Sequence, residues 1–241
     1  MDTRSHILKS QYRLRFTNSQ AYRQDMWQIL CADLFAKYVH EQSTILDVGA
    51  GWGEFINNIA AARKLAMDLN PETKDWLSSQ VDFLQQDGSQ EWRIESGTLD
   101  VVFLSNFLEH LPDKPSVERT ISQAHRCLKE GGIIICLGPN IKFVSGAYWD
   151  FWDHYVPLTE SSMSELLKMN RFAIDLCIPR FLPYSMSTGR TPPLFLVRLY
   201  LKVPLVWSLL GKQFLVIGRK RTATNENVGQ QSPANANKPR F

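Results

Sequence analysis

Ile45-Leu46-Asp47-Val48-Gly49-Ala50-Gly51-Trp52-Gly53 decides the fold. An apolar run containing an acidic residue is followed by glycines at alternate positions, and then by a stretch of helical pattern. Glycine in such a turn accepts left-handed backbone and lets a ligand lie against the main chain, where a side chain would collide. A dinucleotide-binding loop would show GxGxxG and leave a helix N-terminus open to pyrophosphate. Here the spacing is GxGxG, and Asp47 would repel a phosphate while suiting a ligand that carries an ammonium group. An NAD-dependent oxidoreductase fits this loop poorly.

Further apolar runs lie at 64–68, 81–84, 99–104 and 132–137, and helices are predicted between them over 53–62, 71–79 and 114–129. Asp113 with Pro115 marks the start of the last helix, and Gly131-Gly132 its end. Strands alternating with helices imply a parallel sheet covered on both faces. Upstream, Trp27, Leu30, Cys31, Leu34, Phe35 and Tyr38 recur at steps of three and four, which predicts an amphipathic helix. Downstream, Ser162 and Glu165 predict a capping box opening a helix that ends near Asn170. Phe172–Ile178 and Gln213–Arg219 read as two more strands.

The whole chain, 241 residues with 44% hydrophobic and 21% charged, has the composition of an ordinary globular protein. Lys and Arg exceed Asp and Glu by 27 to 24, too small a surplus to argue for a nucleic-acid partner. Cys31, Cys127, Cys136 and Cys177 show no CxxC spacing, so reduced, buried thiols are expected. The first 16 residues are polar and basic with no apolar core, which argues against a secretory signal and for a cytoplasmic location. The expected organisation is a basic segment and helix over 1–43, a main domain over 44–220 with an apolar insertion at 183–211, and a disordered polar tail over 221–241. Within the insertion, Leu194–Leu210 is very apolar but only 17 residues long, and Arg198, Lys202 and Pro204 interrupt it. That is short for a span. Peripheral contact with a membrane, or a homodimer through 194–210, is expected instead, with the protein held at the inner face of the membrane in the first case.

Two more acids follow strand ends. Asp68 stands 21 residues after Asp47, where a carboxylate can accept from both hydroxyls of a ribose. Asp87, in FLQQDGS, can accept from an adenine amino group. Singly each also reads as a cap or turn residue; together they outline a nucleoside site.

These segments resemble the class I S-adenosylmethionine-dependent methyltransferases. ILDVGAGWGEF is similar to their first motif, AMDLN to their ribose-binding acid, and QQDGS to their adenine-contacting segment. VVFLSNFLEHLPD resembles their fourth strand and the loop after it, and LKEGGIIICLGPN their fifth strand. The resemblance implies an α/β, Rossmann-like sheet of seven mostly parallel strands in the order 3-2-1-4-5-7-6, with helices on both faces. It also implies S-adenosyl-L-methionine as cofactor, held by Asp47, Gly49, Gly51, Gly53, Asp68, Asp87 and Asn106. From 138 to 162, and again at PRFLPY and GKQFLVIGRK, the chain resembles a bacterial subgroup associated with cell-surface carbohydrate.

A sulfonium methyl group is already electrophilic, so the protein must mainly align an acceptor with the S–CH3 bond. A hydroxyl acceptor must also lose its proton, which calls for a base. His154, in Trp152-Asp153-His154-Tyr155, is the first choice, with Asp153 or Asp150 to orient it. His110 beside Glu109 is the alternative, and either histidine also reads as a loop-fixing hydrogen bonder. Some relatives hold a divalent ion beside the acceptor. Glu109 and His110 are adjacent ligands without a further cluster near them in sequence, so no metal is expected. Tyr148, Trp149, Phe151, Trp152 and Tyr155 wall an acceptor pocket or pack a loop. Tyr22 and Arg23 are placed to close over the donor, with Trp27 in the core. The preferred acceptor is a glycan or lipid-linked sugar hydroxyl. A quinone-like or phenolic small molecule, or a non-catalytic SAM-binding role, is the alternative.

Overall fold

In the computed structural model, which describes residues 20–184 and 191–222, the apolar runs become strands. They are β1 (Thr44–Val48), β2 (Arg63–Asp68), β3 (Val81–Gln85), β4 (Leu99–Ser105), β5 (Leu128–Pro139), β6 (Phe172–Ile178) and β7 (Gln213–Lys220). One sheet holds all seven in the order β3-β2-β1-β4-β5-β7-β6. The first five pair in parallel, and β7 runs antiparallel to both β5 and β6. This is the Rossmann-like order that the methyltransferase resemblance implied.

The helices are α1 (Gln20–Asp33), α2 (Glu54–Asn58), α3 (Lys114–Cys127), α4 (Ile141–Val144), α5 (Glu160–Met169), α6 (Leu194–Lys202) and α7 (Pro204–Leu210). Successive residues of a strand point to opposite faces, and the central strands are apolar on both. Ile45, Val101, Phe103, Ile133 and Ile135 face a layer built from α1 and α2. Leu46, Val48, Val102, Leu104 and Ile134 face the layer of α3 and α5. In the first layer, Phe103 stacks on Phe55 and meets Phe35 and Trp27 edge-on. Trp27 is therefore core packing. Truncating Phe103 to Ala would cost about 3–5 kcal/mol, since the ring is fully buried and its neighbours cannot close the gap.

Several boundaries differ from the sequence expectation, each for a local reason. The helix after the glycine loop stops at Asn58, because Asn57 and Asn58 turn their amides onto the carbonyls of Trp76 and Glu54. Residues 71–76 form a 3-10 turn, opened by Pro71 and capped by the Asn70 side chain. Helix α3 starts as expected, with Asp113 accepting from the Ser116 amide. It runs straight into β5, so Gly131 and Gly132 lie inside a strand; Gly131 has φ +76°, beside a register shift against β4. The cap of α5 is Thr159, and Ser162 is its partner three residues later. Cys177 is exposed, against expectation, because β6 is an edge strand whose alternate residues face solvent; Cys31, Cys127 and Cys136 are buried, and all four are free.

The basic stretch before residue 20 and the tail after 222 lie outside the described residues. Pro204 divides the apolar insertion into α6 and α7 by starting the second helix, with Val203 out of helical geometry between them. No helix among the described residues is long and apolar enough to cross a membrane.

Candidate active site at the carboxyl ends of the parallel strands

In open α/β sheets ligands bind beyond the carboxyl ends of the strands, and the sequence-predicted residues gather there. After β1 the chain turns through Gly49, Gly51 and Gly53, with φ of +73°, +56° and +70°. A Cβ at Gly49 would stand 2.4 Å from the Phe107 ring, so no side chain fits there. The Gly51 amide donates to Asp68 at 2.9 Å, and the other Asp68 oxygen accepts from the Asn70 amide at 2.8 Å. The acid at the end of β2 thus shapes the glycine loop.

Asp47 is buried in β1. Burial raises its carboxyl well above the ordinary 3.8, and the neighbouring Asp68 and Glu54 carboxylates push it further. Burial also raises Asp68, against the pull of its hydrogen bonds to backbone amides. Arg23 of α1 lies 2.8 Å from Glu54 and ties the first helix to this group. Buried carboxylates at close quarters are costly to ionise. A ligand bearing positive charge offsets that cost, and a phosphate would add to it.

Asp87 accepts from the amide and hydroxyl of Ser89, forming a tight turn after β3. Within that turn, a Cβ at Gly88 would stand 2.9 Å from both Val48 and Phe107. Phe107 therefore lies between the glycine loop and the Asp87 turn. Asn106, just before it, has φ +49°, a left-handed conformation that non-glycine residues seldom adopt outside functional turns. Its amide N–H donates to the Leu137 carbonyl at 2.9 Å, which fixes the end of β4 to the end of β5.

The two candidate bases come together. The rings of His110 and His154 are 4.9 Å apart, although 44 residues separate them in sequence. His110 Nδ1 lies 3.0 Å from the Asp153 carbonyl oxygen and 3.2 Å from its carboxylate. His154 Nδ1 lies 2.9 Å from the Tyr148 carbonyl oxygen, and its ring stacks on Phe151. Burial lowers the His110 imidazole's affinity for a proton, but Asp153 and Glu109 outweigh it and the net direction is up from 6.5. Glu109 is itself buried, and burial raises its carboxyl. The Tyr155 and Val156 amides donate to the Glu109 carbonyl, which binds the loop after β5 to the loop after β4. Asp150 is exposed. The aromatic cluster divides: Tyr148 is fully buried, while Trp149, Trp152 and Tyr155 are exposed.

Sequence spacing gave only two adjacent metal ligands, Glu109 and His110, but folding adds a third. Glu109, His110 and His154 offer ligand atoms within 4.8 Å of one another. Each imidazole has Nδ1 against a carbonyl oxygen, the arrangement that orients a metal-binding histidine. The donor set fits a divalent ion.

Phe107, Gly88 and Asn140 escaped the sequence reading. Buried Asn140 caps α4 and donates to Glu160 and to the Pro179 carbonyl, anchoring the start of the loop after β5. The only sequence signal for it was Pro139-Asn140 at a strand end, a common turn pair.

A family model described as a methyltransferase domain matches residues 20–171, and the chain belongs to that family. The protein is an S-adenosylmethionine-dependent methyltransferase. Solved structures with this fold include a SAM-dependent methyltransferase from Archaeoglobus fulgidus, at 17% identity and TM-score 0.64, covering 85% of this chain and 99% of that one. A SAM-dependent methyltransferase from Thermotoga maritima has 15% identity and TM-score 0.61, with 88% and 99% covered. An S-adenosylmethionine-dependent methyltransferase from Mesorhizobium loti has 16% identity and TM-score 0.58, with 80% and 98% covered. At these identities the likeness is one of fold. No curated protein matches the sequence.

Proposed function

We propose that the protein transfers the S-adenosylmethionine methyl group to a hydroxyl of a glycan or lipid-linked sugar. The observation that carries this reading is the cluster of His110, Asp153 and His154, brought together by the loops after β4 and β5. A hydroxyl needs a base as it attacks, and an imidazole near neutral pH supplies one. An amine acceptor that arrives unprotonated needs no such group.

On the donor side, Gly49, Gly51 and Gly53 allow the ligand to lie against the backbone, and Asp68 accepts from the ribose. Asp47 faces the positive charge of the methionine moiety. Asp87 and Asn106 border the adenine side. On the acceptor side, His154 takes the proton from the attacking hydroxyl, and His110, held by Asp153, stands beside it as the second base. Were Glu109, His110 and His154 to hold a divalent ion instead, the ion would occupy the imidazole nitrogens and polarise the acceptor oxygen in place of either base. Exposed Trp149, Trp152 and Tyr155 offer flat apolar faces of the kind that stack on sugar rings. They support a carbohydrate acceptor and agree with the resemblance to proteins associated with cell-surface carbohydrate.

Mass spectrometry of surface glycans and lipids from cells with and without the gene tests the assignment. A glycan or glycolipid one methylene lighter in the deletion strain is the expected result. An unchanged glycan and lipid profile, with a phenolic or quinone-like metabolite demethylated instead, would move the acceptor to small molecules.

A further inference from the structure

Helices α6 and α7 contain no buried residue, although their sequence is among the most apolar in the chain. Their inner side is well anchored. Leu194, Val197, Tyr200, Leu201 and Trp207 pack against the core layer of α1. The Trp207 indole donates to the Tyr200 carbonyl at 2.8 Å, and Arg180 donates to the carbonyls of Leu209 and Gly211. Arg198 lies 3.1 Å from Asp33 of α1. The outer side is a fixed surface, and it is apolar too. Phe195 is 66% exposed, Leu205 81% and Leu209 72%, with Leu199 also exposed. Phe195 with Leu199, and Leu205 with Leu209, are four apart and share a helix face. The inner side of the hairpin has its partner in the core layer, whereas the exposed leucines and phenylalanine of the outer side have none among the described residues.

Charge distinguishes the partners. No Asp or Glu occurs between Asp175 and Glu226. Arg198 is paired with Asp33 and Arg180 is turned onto the carbonyls of Leu209 and Gly211, with Lys202 at the end of α6 and Lys212 just after α7 as further cations. Lys202 and Lys212 are exposed. In a two-fold dimer through this face each patch would meet its own copy. The exposed Lys202 and Lys212 would then be brought toward their own copies, with no carboxylate in the segment to balance them. An anionic bilayer complements both features, because leucine and phenylalanine enter the acyl boundary while lysine and arginine stay at headgroup level. The helices are too short to cross a bilayer, so a contact with one would be at its surface.

Position gives the contact a purpose. Gln213, two residues after α7, pairs with Pro139 at the carboxyl end of β5, and the Asn140 amide donates to the Lys212 carbonyl at 2.9 Å. The base of the hairpin thus adjoins the start of the acceptor-side loop. That loop touches the segment leading to the hairpin through Phe151 and Tyr184. It also exposes 86% of Trp152, a residue type favoured at membrane interfaces.

We propose that the outer face of α6 and α7 seats the protein on an anionic membrane surface, so that a lipid-linked acceptor enters from that surface. The docking stands by itself; its link to catalysis rests on the lipid-linked acceptor proposed above. Flotation of the full chain with vesicles tests it, comparing phosphatidylcholine alone with phosphatidylcholine mixed with phosphatidylglycerol. The protein should float with the mixed vesicles and remain below with the neutral ones. Lys202→Glu with Lys212→Glu should weaken partitioning by about fivefold or more for each cation. Leu205→Glu with Leu209→Glu should weaken it by at least about tenfold. All four residues are exposed, so the melting temperature and the affinity for S-adenosylhomocysteine should not change. A wild type that ignores anionic vesicles would overturn the proposal. So would a wild-type dimer in light scattering that the leucine variants convert to monomer, an outcome that gives the face to a second copy. Absent S-adenosylhomocysteine binding in the wild type would count against the donor site and leave the flotation result standing.

Discussion

Asp68 accepts a hydrogen bond from the Gly51 amide at 2.9 Å, so the acid proposed to hold the ribose also sets the shape of the glycine loop. Two roles in one carboxylate give two separable effects. Asp68→Asn keeps an acceptor for the loop but loses the charge, whereas Asp68→Ala loses both. Charged hydrogen bonds are worth about 1.5–3 kcal/mol each. Calorimetric titration with S-adenosylhomocysteine should therefore show a loss of roughly tenfold or more for Asn, and a larger one for Ala accompanied by a lower melting temperature. Equal donor affinity in wild type and both variants would remove Asp68 from the site.

Asp47 makes the proposed donor site costly to the stability of the ligand-free protein. Its carboxyl is raised well above 3.8 by burial and by Asp68 and Glu54. The folded state thus holds this proton to higher pH than the unfolded state does. By linkage, the associated stability is present below about pH 3.8 and is lost as pH rises through the raised value. Asp47→Asn should flatten that loss and raise the melting temperature of the ligand-free protein at neutral pH. The same change should weaken S-adenosylhomocysteine, because the ammonium group loses its counter-charge. A variant both less stable and equally tight at neutral pH would contradict this account.

How much of this was legible in the sequence depended on the range of the interaction. Strand positions could be read because Ile45, Leu46 and Val48, or Val101 through Leu104, must be apolar to be buried on both faces. The glycine loop could be read because its backbone requirements are local. Helix α2 was overextended, since the side chains of Asn57 and Asn58 settle its end and their partners lie in three-dimensional space. The acceptor side was legible only in pieces. His110 and His154 read as rival bases because nothing in linear order says that the loops after β4 and β5 meet. The backbone hydrogen bonds from Tyr155 and Val156 to Glu109 bring them together. Phe107 was silent for a related reason, as its role is to fill the space beside Gly49 and Gly88.

Gly49 tests that steric role directly. With φ at +73° and the Phe107 ring 2.4 Å from an added Cβ, Gly49→Ala carries both backbone strain and a clash. Left-handed backbone alone costs a residue with a Cβ about 1–2 kcal/mol. Phe107→Ala removes the clash but not the strain, so the double variant should be more stable than additivity of the two single changes predicts. Denaturant melts of the four proteins measure this coupling. Strict additivity would mean that the ring and the loop do not share this space.

His110 and His154 differ in what holds them, and that difference separates their roles. His154→Ala should lower methyl transfer by roughly a hundredfold or more, the usual worth of a positioned base, with donor affinity retained. Asp153→Asn acts through His110. Without the carboxylate the His110 imidazole gives up its proton more readily, so if His110 is the base, the acidic limb of the pH–rate profile should move to lower pH. A limb that stays in place in Asp153→Asn but is lost in His154→Ala leaves proton removal to His154 alone. Chelation completes the comparison. An imidazole base works without a metal, so protein treated with a chelator should keep its turnover. A loss that added zinc or magnesium reverses, and that Glu109→Gln reproduces, would instead assign Glu109, His110 and His154 to an ion.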